Sequence, residues 1–294
     1  MRGLGGISRT LTRCLAGLAL AATLAAAAAP QLESAQALYR RTDYDAALNL
    51  LLPLAPKDAA THHLIGMCYY MQGDPRKAAD FFQKAVALKP GESDYSMWLG
   101  RAFGRRAETS SFLTAPGYAA KARDNFEVAV RLNPHNLEAV SDLFEYYLDA
   151  PGLLGGGLDK ATALAVRMGE VDSAESHWAL ARVAEKRKEL QTAEAQFRRA
   201  VDLAPRQAGR MVDLARFLAK AGRYQESDEA FQRAEAVAPS SPRVMFAQAS
   251  TYITCGRHLD LAKKLLKRYL QAQLTPDDPP RKEAERLLRQ VSAS

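Results

Sequence analysis

Three consecutive glycines, Gly155 to Gly157, lie in the stretch DAPGLLGGGLDKA (Asp149 to Ala161) of a chain that otherwise reads as helix. A glycine-rich turn can cradle a phosphate, because its amides approach the anion with no Cβ in the way. Such a loop needs a strand before it and Gly-Lys-Ser/Thr at its end. Here a helical pattern precedes, and Leu158 and Asp159 follow. The stretch therefore reads as a wide turn whose glycines supply positive φ angles, with Asp159 suited to opening the next helix. Other chemistry-bearing residues are no more promising. The five histidines, His62, His63, His135, His177 and His258, form no pattern with a neighbouring His, Cys or carboxylate at metal-ligand spacing. No Gly-x-Ser-x-Gly elbow occurs, and no Cys–His spacing suggests a nucleophile and its base. Acidic residues are spread over faces where i,i+4 partners account for them. No enzyme, metal or cofactor is expected.

The elements behind these residues are helical. Of 294 residues, 48% are hydrophobic and 25% charged, the balance of a folded chain. Alanine abounds and prolines punctuate at intervals, which favours helices. Arg2, Arg9 and Arg13 precede an apolar run, Leu15 to Ala29, that closes in small residues. This is the layout of a signal peptide over residues 1–28, with Ala26 and Ala28 at the cleavage positions. Export to a bacterial periplasm is the expectation. An uncleaved anchor is the alternative, but the run falls short of the ~20 residues a spanning helix needs. Cys14 precedes the run and cannot be a lipoprotein acylation site. Without residues 1–28 the formal charge drops from +7 to +4, because three arginines and no acids leave. With no long Lys/Arg block, nucleic acid is not an expected partner. Cys68 and Cys255 are expected as buried or half-buried thiols, since an extended array holds them beyond the ~7 Å a disulfide spans.

A period organises the chain. Prolines at 56, 90, 134, 205, 239 and 276 are separated by 34, 44, 71, 34 and 37 residues. The segments ending at Pro90 and Pro239 share an apolar helix, a glycine turn (Gly73, Gly222), a second helix and a closing proline. One unit carries Ile65, Gly66, Tyr69, Ala78, Phe82 and Ala85. The unit ending at Pro205 carries Leu180, Ala181, Ala184, Ala193, Phe197 and Ala200, and the next has Leu214, Ala215, Leu218, Phe231 and Ala234. In these residues the chain resembles the tetratricopeptide repeat family, whose period is 34 residues. The resemblance implies an all-α, right-handed superhelical solenoid in which the first helix (A) of each hairpin lines the concave side. About seven units are expected, near 28–58, 59–92, 93–136, 137–173, 174–207, 208–241 and 242–276, with a capping helix and tail in 277–294. The first unit is cut short by Pro53, the last drifts by one residue near Ala262, and Leu287, Leu288 and Val291 share one side of the closing helix. One hairpin cannot bury its apolar face alone, so hairpins stack.

Two insertions interrupt the period. In the third unit helix B resumes at Ala122, ten residues late. The expected structure of 105–118 is two lengthened helices joined at Pro116–Gly117, with Phe112, Leu113 and Tyr118 as an apolar flap. In the fourth unit five residues are added within 151–157, and Leu153 and Leu154 are expected to tuck beside that flap. The segments LGRAFGRRAETSSF and KARDNFEVAVRLNP also resemble part of the regulator of microtubule dynamics proteins. That resemblance implies a lipid or other apolar ligand in the hollow, closed by the two inserted segments.

The tetratricopeptide resemblance implies which helix-A positions face the groove. Projected onto this chain they give His63 and Tyr70, then Met97, Arg101 and Arg105, Glu145, Trp178 and Arg182, Arg216 and Lys220, Arg243 and Phe246. Aromatics, Met and Arg are enriched at protein interfaces. The lysine–asparagine pair of chaperone-binding members is absent, since His63/Met67 and Met97/Arg101 occupy the corresponding places. The leading expectation is a scaffold holding a protein or peptide segment in the groove. The lipid pocket is second.

Overall fold

The computed structural model describes residues 30–55 and 57–292. The expected signal segment 1–28, Cys14 included, lies outside the described residues. The chain divides into two compact units at Pro90–Gly91. The first holds α1 (30–40), α2 (Tyr44–Leu51), α3 (Ala59–Met71) and α4 (Pro75–Leu88). The second holds α5 (Ser93–Thr109), α6 (Ala115–Leu132), α7 (Leu137–Asp149), α8 (Leu158–Met168), α9 (Ser173–Lys186), α10 (Leu190–Leu203), α11 (Ala208–Lys220), α12 (Tyr224–Val237), α13 (Pro242–Thr254), α14 (Leu259–Gln271) and α15 (Arg281–Ser292). Among the described residues there is no strand, and seven successive hairpins precede α15.

Local chemistry sets the hairpin ends. Asp43, Asp58, Asp74, Asn136, Asp172 and Ser241 each cap a helix by accepting a bond from an amide in its first turn. Five hairpins turn through a left-handed residue, Thr42, Gly73, Lys188, Gly222 or Gly256, the last followed by a second one at His258. The following amide then bonds back: Asp43 to Leu38, Asp74 to Tyr69, Glu189 to Ala184, Arg223 to Leu218 and Arg257 to Tyr252. Each is a Schellman ending, which satisfies a terminal carbonyl.

Packing explains the small residues of helix A. A Cβ on Gly66 would stand 2.6 Å from the Phe82 ring, and one on Gly100 2.6 Å from the Phe126 ring. In later repeats Ala181, Ala215 and Ala249 take that place, with Phe197, Phe231 and Leu266 on the second helix, all buried. The fourth repeat inverts the sizes: Phe144 is on α7 and Ala165 on α8, both fully buried. The Phe144 ring reaches on to Trp178 of the next repeat, 5.8 Å away. At the chain's end α15 buries Ala284, Leu287 and Val291 in one core with Leu265, Leu266 and Tyr269 of α14. The Tyr269 hydroxyl donates to the Pro279 carbonyl and fixes the entry to α15.

The insertions differ in detail from their expected forms. The turn of the first is Ser110–Thr114, not Pro116–Gly117, which lie in the first turn of α6. Proline is at home there because its missing N–H would have no helical partner. In the second, Pro151 leads into a 3-10 turn, Gly152–Leu154. Of the three glycines only Gly155 lies in the left-handed region, at φ 89°, while Gly157 is extended. Gly156 is required for another reason: a Cβ there would lie 1.9 Å from the Ala150 carbonyl oxygen. Cys68 is buried and Cys255 half-buried, and both are free thiols.

Candidate functional site

The first helices α5, α7, α9 and α11 of the second unit are joined by ion pairs running from each repeat to the next. Arg101 of α5 reaches Asp142 (2.5 Å) and Glu138 (3.1 Å) of α7, with its guanidinium 4.8 Å from the centre of the Trp98 ring. Glu145 of α7 takes a bidentate bond from Arg182 of α9, at 2.9 and 3.2 Å. Asp149 takes Lys186 at 2.6 Å. Farther along, Glu175 of α9 bonds Arg210 of α11, and Glu185 bonds Lys220 at 2.8 Å. Trp178 lies between two guanidinium groups, Arg182 at 5.6 Å and Arg210 at 5.2 Å. The acids of α7 are thus held by cations from both sides. Burial pushes the carboxyls of Asp142 and Glu145 up, while Arg101 and Arg182 respectively pull them down.

Most of the projected charges therefore serve the stack. Arg101, Glu145, Trp178 and Arg182 are half-buried in this ladder. Lys220 is exposed and pairs with Glu185, and Arg105 is exposed and pairs with Glu108 of its own helix. Met97 is not a groove residue. It is only 2% exposed, a flexible side chain filling core space. Phe246 is also largely core, 9% exposed with its ring 5.4 Å from Tyr269. His63 and Tyr70 belong to the first unit, where both are half-buried and His63 lies against Phe82 at 5.5 Å.

The apolar-ligand set does not close a hollow. Phe112, Leu113 and Leu153 are 83%, 76% and 87% exposed, so they stand in solvent instead of tucking together. The reason is that polar bonds hold the inserted turns elsewhere: Tyr118 accepts from Arg106 of its own hairpin at 2.5 Å, and the Leu154 carbonyl receives Tyr146 of α7 and Arg123 of α6 in the preceding hairpin at 2.8 and 3.3 Å. Leu154 and Tyr118 are half-buried in these contacts.

The ladder gives way to a cleft at its far end. A cavity of about 570 Å³ opens between α11, α13 and the segment that precedes α15. Arg210, Arg216, Asp213 and Arg243 are among its walls; Val212, Val244, Phe246 and Ala247 supply its apolar surface, with Asp277 and Pro279 alongside. Asp213 lies 3.5 Å from Arg210. Burial pushes its carboxyl up to about 6, against the pull of Arg210, Arg216 and Arg182. Arg216 is exposed, with no ion pair within 4 Å among the described residues. Arg210, Asp142, Glu175 and Asp277 escaped the projection because they sit beside the standard groove positions or outside helix A. A signal for the ladder was nevertheless present: Glu175/Arg210 and Glu185/Lys220 are 35 residues apart, and Glu145/Arg182 are 37 apart. Opposite charges one repeat apart fall side by side on stacked helices.

No group of three potential metal ligands occurs among the described residues, and no helix among them is long and apolar enough to cross a membrane. Stacked helical hairpins joined through their first helices define a helical-repeat protein, a class whose stacked units form extended binding surfaces. Family models of the tetratricopeptide repeat match residues 59–92, 160–208 and 212–279, and the chain belongs to the tetratricopeptide repeat family. Solved structures agree. A thermophilic tetratricopeptide repeat protein of Thermus thermophilus is similar at 25% identity and TM-score 0.53, over 64% of this chain and 97% of that one. A tetratricopeptide repeat protein of Parabacteroides merdae is similar in fold at 14% identity and TM-score 0.58, over 90% and 98%. No curated protein matches the sequence. Repeats of this family point to a protein-interaction scaffold.

Proposed function

We propose that this chain is a non-enzymatic scaffold, exported to the periplasm, which holds a segment of a partner protein against the first-helix face of its second unit. The observation that carries this reading is the alignment of that face by ion pairs, ending in a cleft where Arg216 is exposed and makes no ion pair within 4 Å among the described residues. Ion pairs between repeats hold the helices in one register, and a preorganised face loses less entropy when a partner docks. The signal-like arrangement of Arg2, Arg9, Arg13 and the run to Ala29 supports export.

The structure also changes which residues a test should touch. Reversing Arg101 or Arg182 would leave half-buried acids unpaired and weaken the stack itself. Arg216 is the cleaner probe. Purified chain should capture a defined set of proteins from periplasmic extract, and Arg216→Glu should lose it while Arg199→Glu, exposed on α10, keeps it. N-terminal sequencing of the mature protein should begin at Ala29. Capture that ignores Arg216→Glu would contradict the proposal, and retention of residues 1–28 in a cytoplasmic product would remove its location.

A further inference from the structure

We infer that the cleft between α11 and α13 takes an acidic, extended segment of the partner, with carboxylates on Arg216 and Arg243 and an apolar side chain against Val212, Val244 and Phe246. This rests on the first-helix face being the partner surface and adds the chemistry of what binds there. The first support is where positive charge is left unmatched. Along the rest of the face Arg101, Arg182, Lys186 and Lys220 each meet an acid of the neighbouring repeat at 3.1 Å or less. In the cleft Arg210 is held by Glu175 and Asp213, which also answers the wall's own acid. Arg216 has no ion pair within 4 Å among the described residues, and Arg243 has only a loose, exposed one with Asp277, at 3.5 Å. Guanidinium groups with planar donors match the two oxygens of a carboxylate, the anion a protein segment carries in its own side chains.

The second support is the chain's own occupant of the rim. Between α14 and α15 runs Leu274-Thr275-Pro276-Asp277-Asp278-Pro279-Pro280, an acidic, proline-rich stretch outside the helices. Its Asp277 presents both a carboxylate and a carbonyl to Arg243, the latter accepting from Nε at 3.1 Å. Asp277 thus stands where the first carboxylate of a ligand would lie. A cavity of about 570 Å³ falls in the range of sites that bury a small ligand or a few side chains. The apolar residues then give a purchase for one large side chain between the acids.

The test uses the full chain and a fluorescein-labelled peptide, Gly-Glu-Glu-Phe-Pro-Asp-Asp-Gly, beside its Gln/Asn counterpart, read by fluorescence anisotropy at low and high salt. The acidic probe should bind at least about tenfold tighter than the neutral one and weaken as salt rises. Arg216→Glu and Arg243→Glu should each lower its affinity about tenfold or more, with circular dichroism unchanged. Arg216→Lys, which keeps the charge and loses the planar fork, should fall between wild type and Arg216→Glu. Asp277→Asn removes the internal competitor and should tighten binding about two- to fivefold, a gain that a structural role for Asp277 does not produce. Equal binding of the two peptides, no binding of the acidic probe, or weaker binding by Asp277→Asn overturns the inference. If the acidic probe fails while protein capture still depends on Arg216, the ligand chemistry is wrong and the partner surface stands. If both are lost, both fall.

Discussion

Gly100→Ala and Gly104→Ala, four residues apart on α5, should change stability in opposite directions. Alanine is favoured over glycine in a helix interior by about 1 kcal/mol. At Gly104 a Cβ meets nothing within 4 Å, so that gain is realised and Gly104→Ala should stabilise by about 0.5–1 kcal/mol. At Gly100 a Cβ falls 2.6 Å from two ring atoms of Phe126 and 3.2 Å from the Ala122 carbonyl oxygen. Phe126 is buried and cannot swing clear, and the carbonyl belongs to a helix. Overpacking of this kind costs about 1–3 kcal/mol, so after the propensity gain Gly100→Ala should be destabilising by up to about 2 kcal/mol. The assay is urea unfolding of the full chain followed by far-UV circular dichroism, with the two midpoints moving to opposite sides of wild type. Shortening the ring in Gly100→Ala/Phe126→Leu should recover part of the loss. Two variants shifting together would refute the claim that repeats close through a glycine–phenylalanine contact.

Three further outcomes follow from local geometry. Gly156→Ala should destabilise the α7–α8 turn by several kcal/mol, because its Cβ collides with the Ala150 carbonyl at 1.9 Å, while Gly157→Ala, with open space around it, should be tolerated; thermal melts compare them. Burial pushes the Asp213 carboxyl up to about 6, above the ordinary aspartate value of 3.8. Its ionisation therefore opposes folding: the associated stability is full below the unfolded value and is lost as pH rises through about 6. Asp213→Asn should accordingly be more stable than wild type at pH above about 7, by no more than about 3 kcal/mol, with the advantage vanishing in acid. Cys255 should react with a thiol reagent in the folded chain, whereas Cys68, buried and pushed up to about 12 by that burial, should react only on unfolding.

The fold was legible because its rules are local. Proline spacing and turn glycines such as Gly73 and Gly222 act within a few residues of chain, and the repeat rewrites them each time. The short α2, ending at Leu51 just before Pro53, follows the same logic. The face was less legible, because it depends on how one repeat is set against the next. Arg101 and Arg182 look like groove cations in one repeat and prove to be partners of Asp142, Glu138 and Glu145 in another. Met97 has the right periodicity for a face but is buried in the core, and Phe246 is largely core with only its remaining surface on the cleft wall. The insertions were visible as breaks in period. Their apolar residues could not be placed from spacing, since polar bonds such as Arg123 to the Leu154 carbonyl decide where those turns point.

The most direct test is photo-crosslinking in living cells, with benzoylphenylalanine placed at Arg216 or Arg243 on first helices and at Arg199 or Arg233 on second helices, all exposed positions. The first pair should yield a discrete crosslinked partner and the second pair none. Crosslinks arising equally from both faces, or only from Arg199 and Arg233, would contradict the assignment of the first-helix face as the working surface.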